Sequence, residues 1–149
     1  MIRPATVKDL DQLLELLKAF ASASLVSYSD WTEQDLSSAR LRLTTMMLHH
    51  YLMVAEKEDK IIGAIGAMRE QDPWIHSRTR MRELFWWVDP EYRKSRLSAE
   101  LFVRWQGDVE RWLEKDMVDS VSLSIQPGSS DIDLSRRGWR CVEQHWIKD

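Results

Sequence analysis

Residues 83–98, ELFWWVDPEYRKSRLS, constrain the fold of this chain more than any other stretch. The apolar run at 82–88 reads as a buried strand, and Asp89-Pro90 closes it. A basic turn follows at 91–98. Leu97, Leu101, Phe102, Trp105, Val109, Trp112 and Leu113 then recur at the spacing of a long helix. The first N–H groups of a helix have no intrahelical partner and carry the positive end of its dipole, so this turn is suited to an anion such as phosphate. Arg93, Lys94 and Arg96 put three cations at that end. Each disfavours the helix by roughly a few tenths of a kcal/mol, and a polyanionic ligand reverses that sign. The plain alternative is a solvated basic turn.

The remaining pattern surrounds this unit. Residues 1–3 read as a short strand stopped by Pro4. Thr6 stands three before Asp9, a capping-box start, and Val7, Leu10, Leu13, Leu14, Leu17 and Phe20 follow at helical spacing to about Ala21. Residues 22–30 are a polar connection. Thr32 with Asp35 repeats the cap, and Leu36, Ala39, Leu43, Met46 and Met47 mark a second helix ending near His50. A hairpin comes next: a strand at 51–56, a polar turn at 57–60, and a return strand at 61–68 that Gly63 and Gly66 weaken or bulge. Residues 71–80 read as a loop. Gly107 within the long helix points to a bend or close packing. Serine alternates with Val121, Leu123 and Ile125 in a half-exposed strand at 120–125. Ser130 caps a short helix ending at Gly138, and 139–147 form a last strand. The expected fold is α/β (α+β), a mixed central sheet of about six strands flanked by four helices.

The 149 residues suit a single domain spanning 1–149. The lone cysteine, Cys141, excludes an internal disulfide and a cysteine-based zinc cluster, and reads as a small buried hydrophobe. The net charge of −3 argues against a dedicated nucleic-acid binder. No run approaches the ~18 apolar residues of a membrane span, and the start lacks a signal-peptide core. No membrane association is therefore expected, and the expected location is the cytoplasm. Eight tryptophans serve cores and binding surfaces alike.

Four segments, IRPAT-x-x-D-L, LMVAEKEDKIIGAI, WWVDPEYRKSRLSAEL and LSRRGWRCVEQHWIKD, cover nearly the whole chain. In that order they resemble the GNAT superfamily of acetyl-CoA-dependent N-acetyltransferases. The two aromatics before V-x-P and the short architecture look like the small acetyltransferase-like proteins carried by bacteriophages, whose location would be the host cytoplasm. The resemblance implies a GNAT-like fold and an acetyl-CoA site. The family's loop reads Arg/Gln-x-x-Gly-x-Gly/Ala; Arg93 matches its first position, and Arg96 and Ser98 replace the glycines. Backbone N–H groups do most of the diphosphate work in such a loop. Arg93, Lys94, Ser95, Arg96, Leu97 and Ser98 are therefore the expected cradle, with Ser98 small enough to admit a phosphate and Arg96 turned outward to pair with one. By the same resemblance the pantetheine arm lies against Trp87 and Val88 and passes Ile125 and Gln126.

Amine acetylation needs a base for the amine proton, donors for the developing oxyanion and an acid for the departing thiolate. Glu83 is the base candidate, because desolvation in an apolar strand moves a carboxyl pKa upward. The alternative is a strand-end glutamate paired with Arg80, Arg82 or a neighbouring strand. Period-two alternation puts Glu83, Phe85 and Trp87 on one face and Leu84, Trp86 and Val88 on the other. Many family members carry a tyrosine four residues before the glycine of the last helix. Leu134 stands there, beside Ser135, so no acid is identified. Tyr92 reads as structural, His49-His50 as a helix cap, and His145 as core or edge. His76 and Trp74 lie on the loop before the Glu83 strand.

The expected activity is acetyl transfer from acetyl-CoA to a primary amine of a protein or small molecule, by direct attack in a ternary complex. The mild acidity favours a cationic acceptor, and a homodimer is compatible with the sequence. The alternative is a catalytically degenerate binding protein of the same fold that acts on a host protein through aromatics such as Trp31, Trp74 and Trp146. Arg96, Ser98 and Leu134 favour that alternative. A third reading is an apolar-pocket protein with no acyl chemistry, since fold does not determine function.

Overall fold

Both capping boxes close in a computed structural model that describes residues 1–23, 30–125 and 132–143. The Asp9 carboxylate accepts from the Thr6 amide at 2.7 Å, and Thr32 Oγ1 accepts from the Asp35 amide at 3.2 Å. The first box starts a 3-10 turn, Val7–Asp9, that leads into α1, Leu10–Ala23; the second starts α2, Glu33–His49. The tighter turn rotates Val7 out of the apolar stripe to an exposed position, and Leu13, Leu14 and Leu16 are the buried residues of α1.

Five strands follow one another across the sheet: β1 Ile2–Pro4, β2 Tyr51–Lys57, β3 Lys60–Gln71, β4 Thr79–Val88 and β5 Ser120–Ser122. The first four are antiparallel. β5 is parallel to β4, and the crossover between them is the long helix α3, Arg96–Glu114. Leu13, Leu43 and Met46 of α1 and α2 pack on one face of the sheet with Val54, Ala64, Phe85 and Trp87. Leu101, Phe102, Trp105 and Val109 of α3 pack on the other with Met53, Ile62, Ile65, Met81 and Val88.

Two register shifts interrupt the alternation of side chains. One leaves Ile62 as an extra residue of β3 opposite β2. The other falls in β4: Gly66 pairs with Phe85 while its neighbour Ala67 pairs with Glu83, so Leu84 is bulged. Gly66 makes room for this, since a Cβ there would stand 2.6 Å from Phe85 Cε1. The bulge corrects the expected alternation. Glu83 lies opposite Ala67, on the α3 side with Trp86 and Val88, whereas Leu84, Phe85 and Trp87 face α1 and α2. Glu83 and Trp87 do not share a face.

The end of the chain departs from the expected count of about six strands and four helices. Among the described residues there are five strands and three α-helices. The expected fourth helix is a 3-10 turn, Ser135–Arg137, ended by Gly138 at φ +82°. Asp133 Oδ1 accepts from the Ser135 amide at 3.1 Å, a local bond that competes with helix formation. No strand forms over 139–143. The rest of the expected strand, the Ser130 cap and most of the 22–30 connection lie outside the described residues. Gly107 sits in an unbroken α3 with no atom close to its open side, which excludes close packing there. Among the described residues no helix is long and apolar enough to cross a membrane.

Candidate active site

β5 pairs with β4 only along Arg80, Met81 and Arg82. Beyond Arg82 the two chains part, and the edge of β4 from Glu83 to Val88 has no ladder on that side among the described residues. Glu83 stands at the root of this split and is 7% exposed. Its Oε2 accepts from the Ser124 amide at 3.0 Å. The arginines expected as its partners go elsewhere: Arg80 and Arg82 both bond Glu70, at 2.7 and 3.0 Å. Burial pushes the Glu83 carboxyl up to about 7, while the Ser124 amide and the Arg82 charge pull weakly the other way.

The far end of the split is the basic turn. Pro90–Tyr92 forms a 3-10 turn, and Ser95 is the N-cap of α3, its Oγ accepting from the Ser98 amide at 3.2 Å. The Arg96 and Leu97 amides, next in the first turn, have no partner among the described residues. Arg93 folds back on the strand, with Nε donating to the Val88 carbonyl at 3.1 Å and its guanidinium 4.4 Å from the Trp87 ring centroid. Arg96 points outward, 93% exposed, and pairs with Glu100 at 2.7 Å. Lys94 is exposed. Tyr92 lies under Lys57 and Lys60 and packs on the α3-side core, a structural placement.

This turn fits an anionic ligand in part. Two open amides, Lys94 and the flanking arginines suit phosphate oxygens. The Ser98 amide is already taken by Ser95, so the cradle is narrower than the sequence implies.

Other candidates fall apart from this cleft or outside the described residues. Leu134 packs on the α3-side core and supplies no acid. Cys141 is exposed, not buried as expected: the segment 139–143 that carries it forms no strand and so does not seat it in the sheet. His50 Nδ1 accepts from the Arg69 amide at 3.2 Å at the end of α2. Trp31 packs against the α1–α2 core, and Trp74 is 89% exposed. Gln126, His145 and Trp146 lie outside the described residues.

Sequence reasoning missed the Ser124 amide and a cavity of about 190 Å³ between α1, α2 and β4 with Arg42 at its wall, and it placed the bulge at Gly66 itself rather than at Leu84 in the facing strand. Gly66 opposite an aromatic residue was the available signal for the bulge. The cavity had none, since Leu17, Leu43 and Met46 read as ordinary core.

The sequence matches the acetyltransferase (GNAT) family model over residues 10–120. No curated protein matches it. Crystal structures of similar fold include a predicted acetyltransferase of Clostridium acetobutylicum with acetyl-CoA, 12% identical, TM-score 0.74, over 100% of this chain and 95% of that one. A Trypanosoma brucei acetyltransferase is 20% identical with TM-score 0.67, over 100% and 98% of the two chains. An aminoglycoside acetyltransferase from an uncultured soil sample, in complex with trehalose, is 13% identical with TM-score 0.63, over 100% and 93%. Because the family match spans most of the chain, this protein belongs to the GNAT acetyltransferase family.

Proposed function

We propose that this protein transfers an acetyl group from acetyl-CoA to a primary amine of a small molecule or protein, by direct attack in a ternary complex in the cytoplasm. The observation that carries the reading is the split between β4 and β5. Among the described residues it has a buried carboxylate with no ion-pair partner at its root and a helix start with open amides at its far end. Acetyl-CoA supplies the thioester. Arg93, Lys94, Ser95, Arg96, Leu97 and Ser98 hold its diphosphate through the Arg96 and Leu97 amides and the surrounding cations. Trp87, Val88, Ile125 and Gln126 flank its pantetheine arm, as the family resemblance implies. The edge of β4, unpaired among the described residues, offers N–H donors to the arm and to the charge that develops on the carbonyl oxygen.

Glu83 is the base. A carboxylate that titrates at about 7 is ionised at slightly alkaline pH and basic enough to take the amine proton. Leu134 leaves the site without a family-type acid. A thiol with a pKa of about 8.5 departs as thiolate without one.

Calorimetric titration with acetyl-CoA and with CoA, followed by CoA release on a panel of amines, tests the reading. The expected result is binding of both and release on at least one amine. No heat and no thermal shift at millimolar acetyl-CoA would discard it. Binding without release on any amine would favour a second reading, a binding protein of this fold with no transfer activity. That reading draws on the exposure of Trp74 and Ile75 on the β3–β4 loop.

A further inference from the structure

The two flanks of α3 face different strands. On one flank Asp108 accepts from the hydroxyl of Tyr51 on β2 at 2.8 Å. On the other, Phe102 stacks on Trp86 of β4 with ring centroids 5.2 Å apart. At 3.6 residues per turn these two side chains point about 120° apart around the helix axis. Phe102 therefore marks the flank nearest the β4 edge and its split from β5. Ile132 and Leu134 pack on the core cluster that holds Trp86, Phe102 and Leu97. An open groove of about 460 Å³ lies there, lined by Ile132, Asp133, Arg136 and Arg137. That size falls within the roughly 300–1,000 Å³ of small-molecule sites.

The two arginines of the groove differ. Arg136 is taken by Asp133 at 3.1 Å. Arg137 has no acidic partner among the described residues, and its guanidinium lies over the Phe102 ring, 5.2 Å from the centroid. Gln106 of α3 holds the backbone around it. Its Oε1 accepts from Trp139 Nε1 at 2.8 Å, and its Nε2 donates to the Arg137 carbonyl at 3.5 Å. A fixed backbone and an aromatic face beneath the side chain lower the ordering cost of pairing its planar fork with a phosphate. Phe102 follows Leu97 by five residues, roughly 7–8 Å along the helix. The Leu97 amide is one of the two open amides assigned to the diphosphate. In CoA a single ribose separates the diphosphate from the 3′-phosphate, a span of the same order.

Resting on the acetyl-CoA reading, we propose that this groove takes the adenosine end of the cofactor and that Arg137 pairs with its 3′-phosphate. Arg137 is then the residue by which the protein distinguishes CoA from 3′-dephospho-CoA. The 3′-phosphate lies far from the thioester, so Arg137 contributes to binding and not to the chemical step.

Calorimetric titration with CoA and with 3′-dephospho-CoA at one salt concentration tests this. CoA should bind at least about tenfold more tightly. Arg137→Gln should lower CoA affinity to the level of 3′-dephospho-CoA and leave the latter unchanged; Arg137 is exposed, so the variant should fold as the parent does. Arg136→Gln, which removes a guanidinium already paired, should keep the tenfold preference. Equal binding of the two ligands by the parent, or a preference that survives Arg137→Gln, overturns the proposal and keeps the acetyl-CoA reading. Loss of the preference in Arg136→Gln as well as in Arg137→Gln would make it a matter of overall charge, and also overturns the proposal. Binding of neither ligand removes the acetyl-CoA reading and the subsite together. The expected preference without CoA release on any amine keeps the subsite and removes the transferase.

Discussion

Asp108 in the middle of α3 and Glu83 at the root of the β4–β5 split both lie on the α3 side of the sheet, 2% and 7% exposed. Their surroundings differ in the number of donors. Asp108 Oδ2 accepts from the Tyr51 hydroxyl and from Arg104 Nε, each at 2.8 Å, and Oδ1 accepts from Arg111 at 2.7 Å. Burial, and then the Asp108 charge, pushes the Tyr51 hydroxyl pKa upward, so it stays a proton donor. Among the described residues Glu83 has one backbone amide and no cation bonded to it. A buried carboxylate surrounded by donors holds a structure together; one left nearly alone is costly to ionise and is suited to proton transfer. Burial alone does not separate the two roles.

The largest effect expected is on Glu83. Glu83→Gln should lower kcat by about 10²–10⁴-fold. It should also remove a limb of the kcat/KM profile that rises through about pH 7 in the parent. Full activity in that variant, measured by CoA release, would make Glu83 another structural carboxylate and end the contrast. Stability should move the opposite way. The folded-state pKa is raised above 4.5, so the favourable contribution of Glu83 is complete below about pH 4.5 and lost as pH rises through about 7. At pH 8, Glu83→Gln should therefore be more stable than the parent, by on the order of 3 kcal/mol in urea titrations, with the gain shrinking toward pH 5.

Asp108→Asn comes next. It should cost about 3 kcal/mol, because it leaves two arginines facing a neutral amide beside a buried hydroxyl. Arg104 and Arg111 are partly exposed and can turn to water, which keeps the loss from being larger. Activity per folded molecule should be unchanged. A kinetic defect at equal folding would bring Asp108 into the functional half of the comparison.

The smallest effect is at the far end of the split. Ser95→Ala should cost about 1 kcal/mol of helix-cap stability. It also frees the Ser98 amide, so acetyl-CoA affinity should hold or rise while Tm falls. A loss of affinity in calorimetry would mean that the Ser95 hydroxyl itself contacts the ligand.

Much of this arrangement is legible in the sequence. The Thr6–Asp9 and Thr32–Asp35 boxes, the apolar stripe of α3 and the strand at 82–88 are patterns among near neighbours, and each appears close to its expected place. Glu83 stands out because it interrupts an apolar run. Its orientation is not legible there, because alternation assumes an unbroken ladder and the Leu84 bulge breaks it. The short turn Ser135–Arg137 reads as a helix because Gly138 marks an end but not a length.

By itself the sequence determined the order of the elements from β1 to β5, where most of them begin and which helix faces are apolar. Those properties depend on spacings of two to four residues along one chain. Tertiary structure decided the face on which Glu83 lies, that Arg80 and Arg82 pair with Glu70 rather than with Glu83, and that Arg42 stands over a cavity with no acidic partner among the described residues. Each depends on what another strand or helix places opposite. The absence of a side chain at Gly66 is what lets Leu84 bulge and turns the carboxylate toward α3.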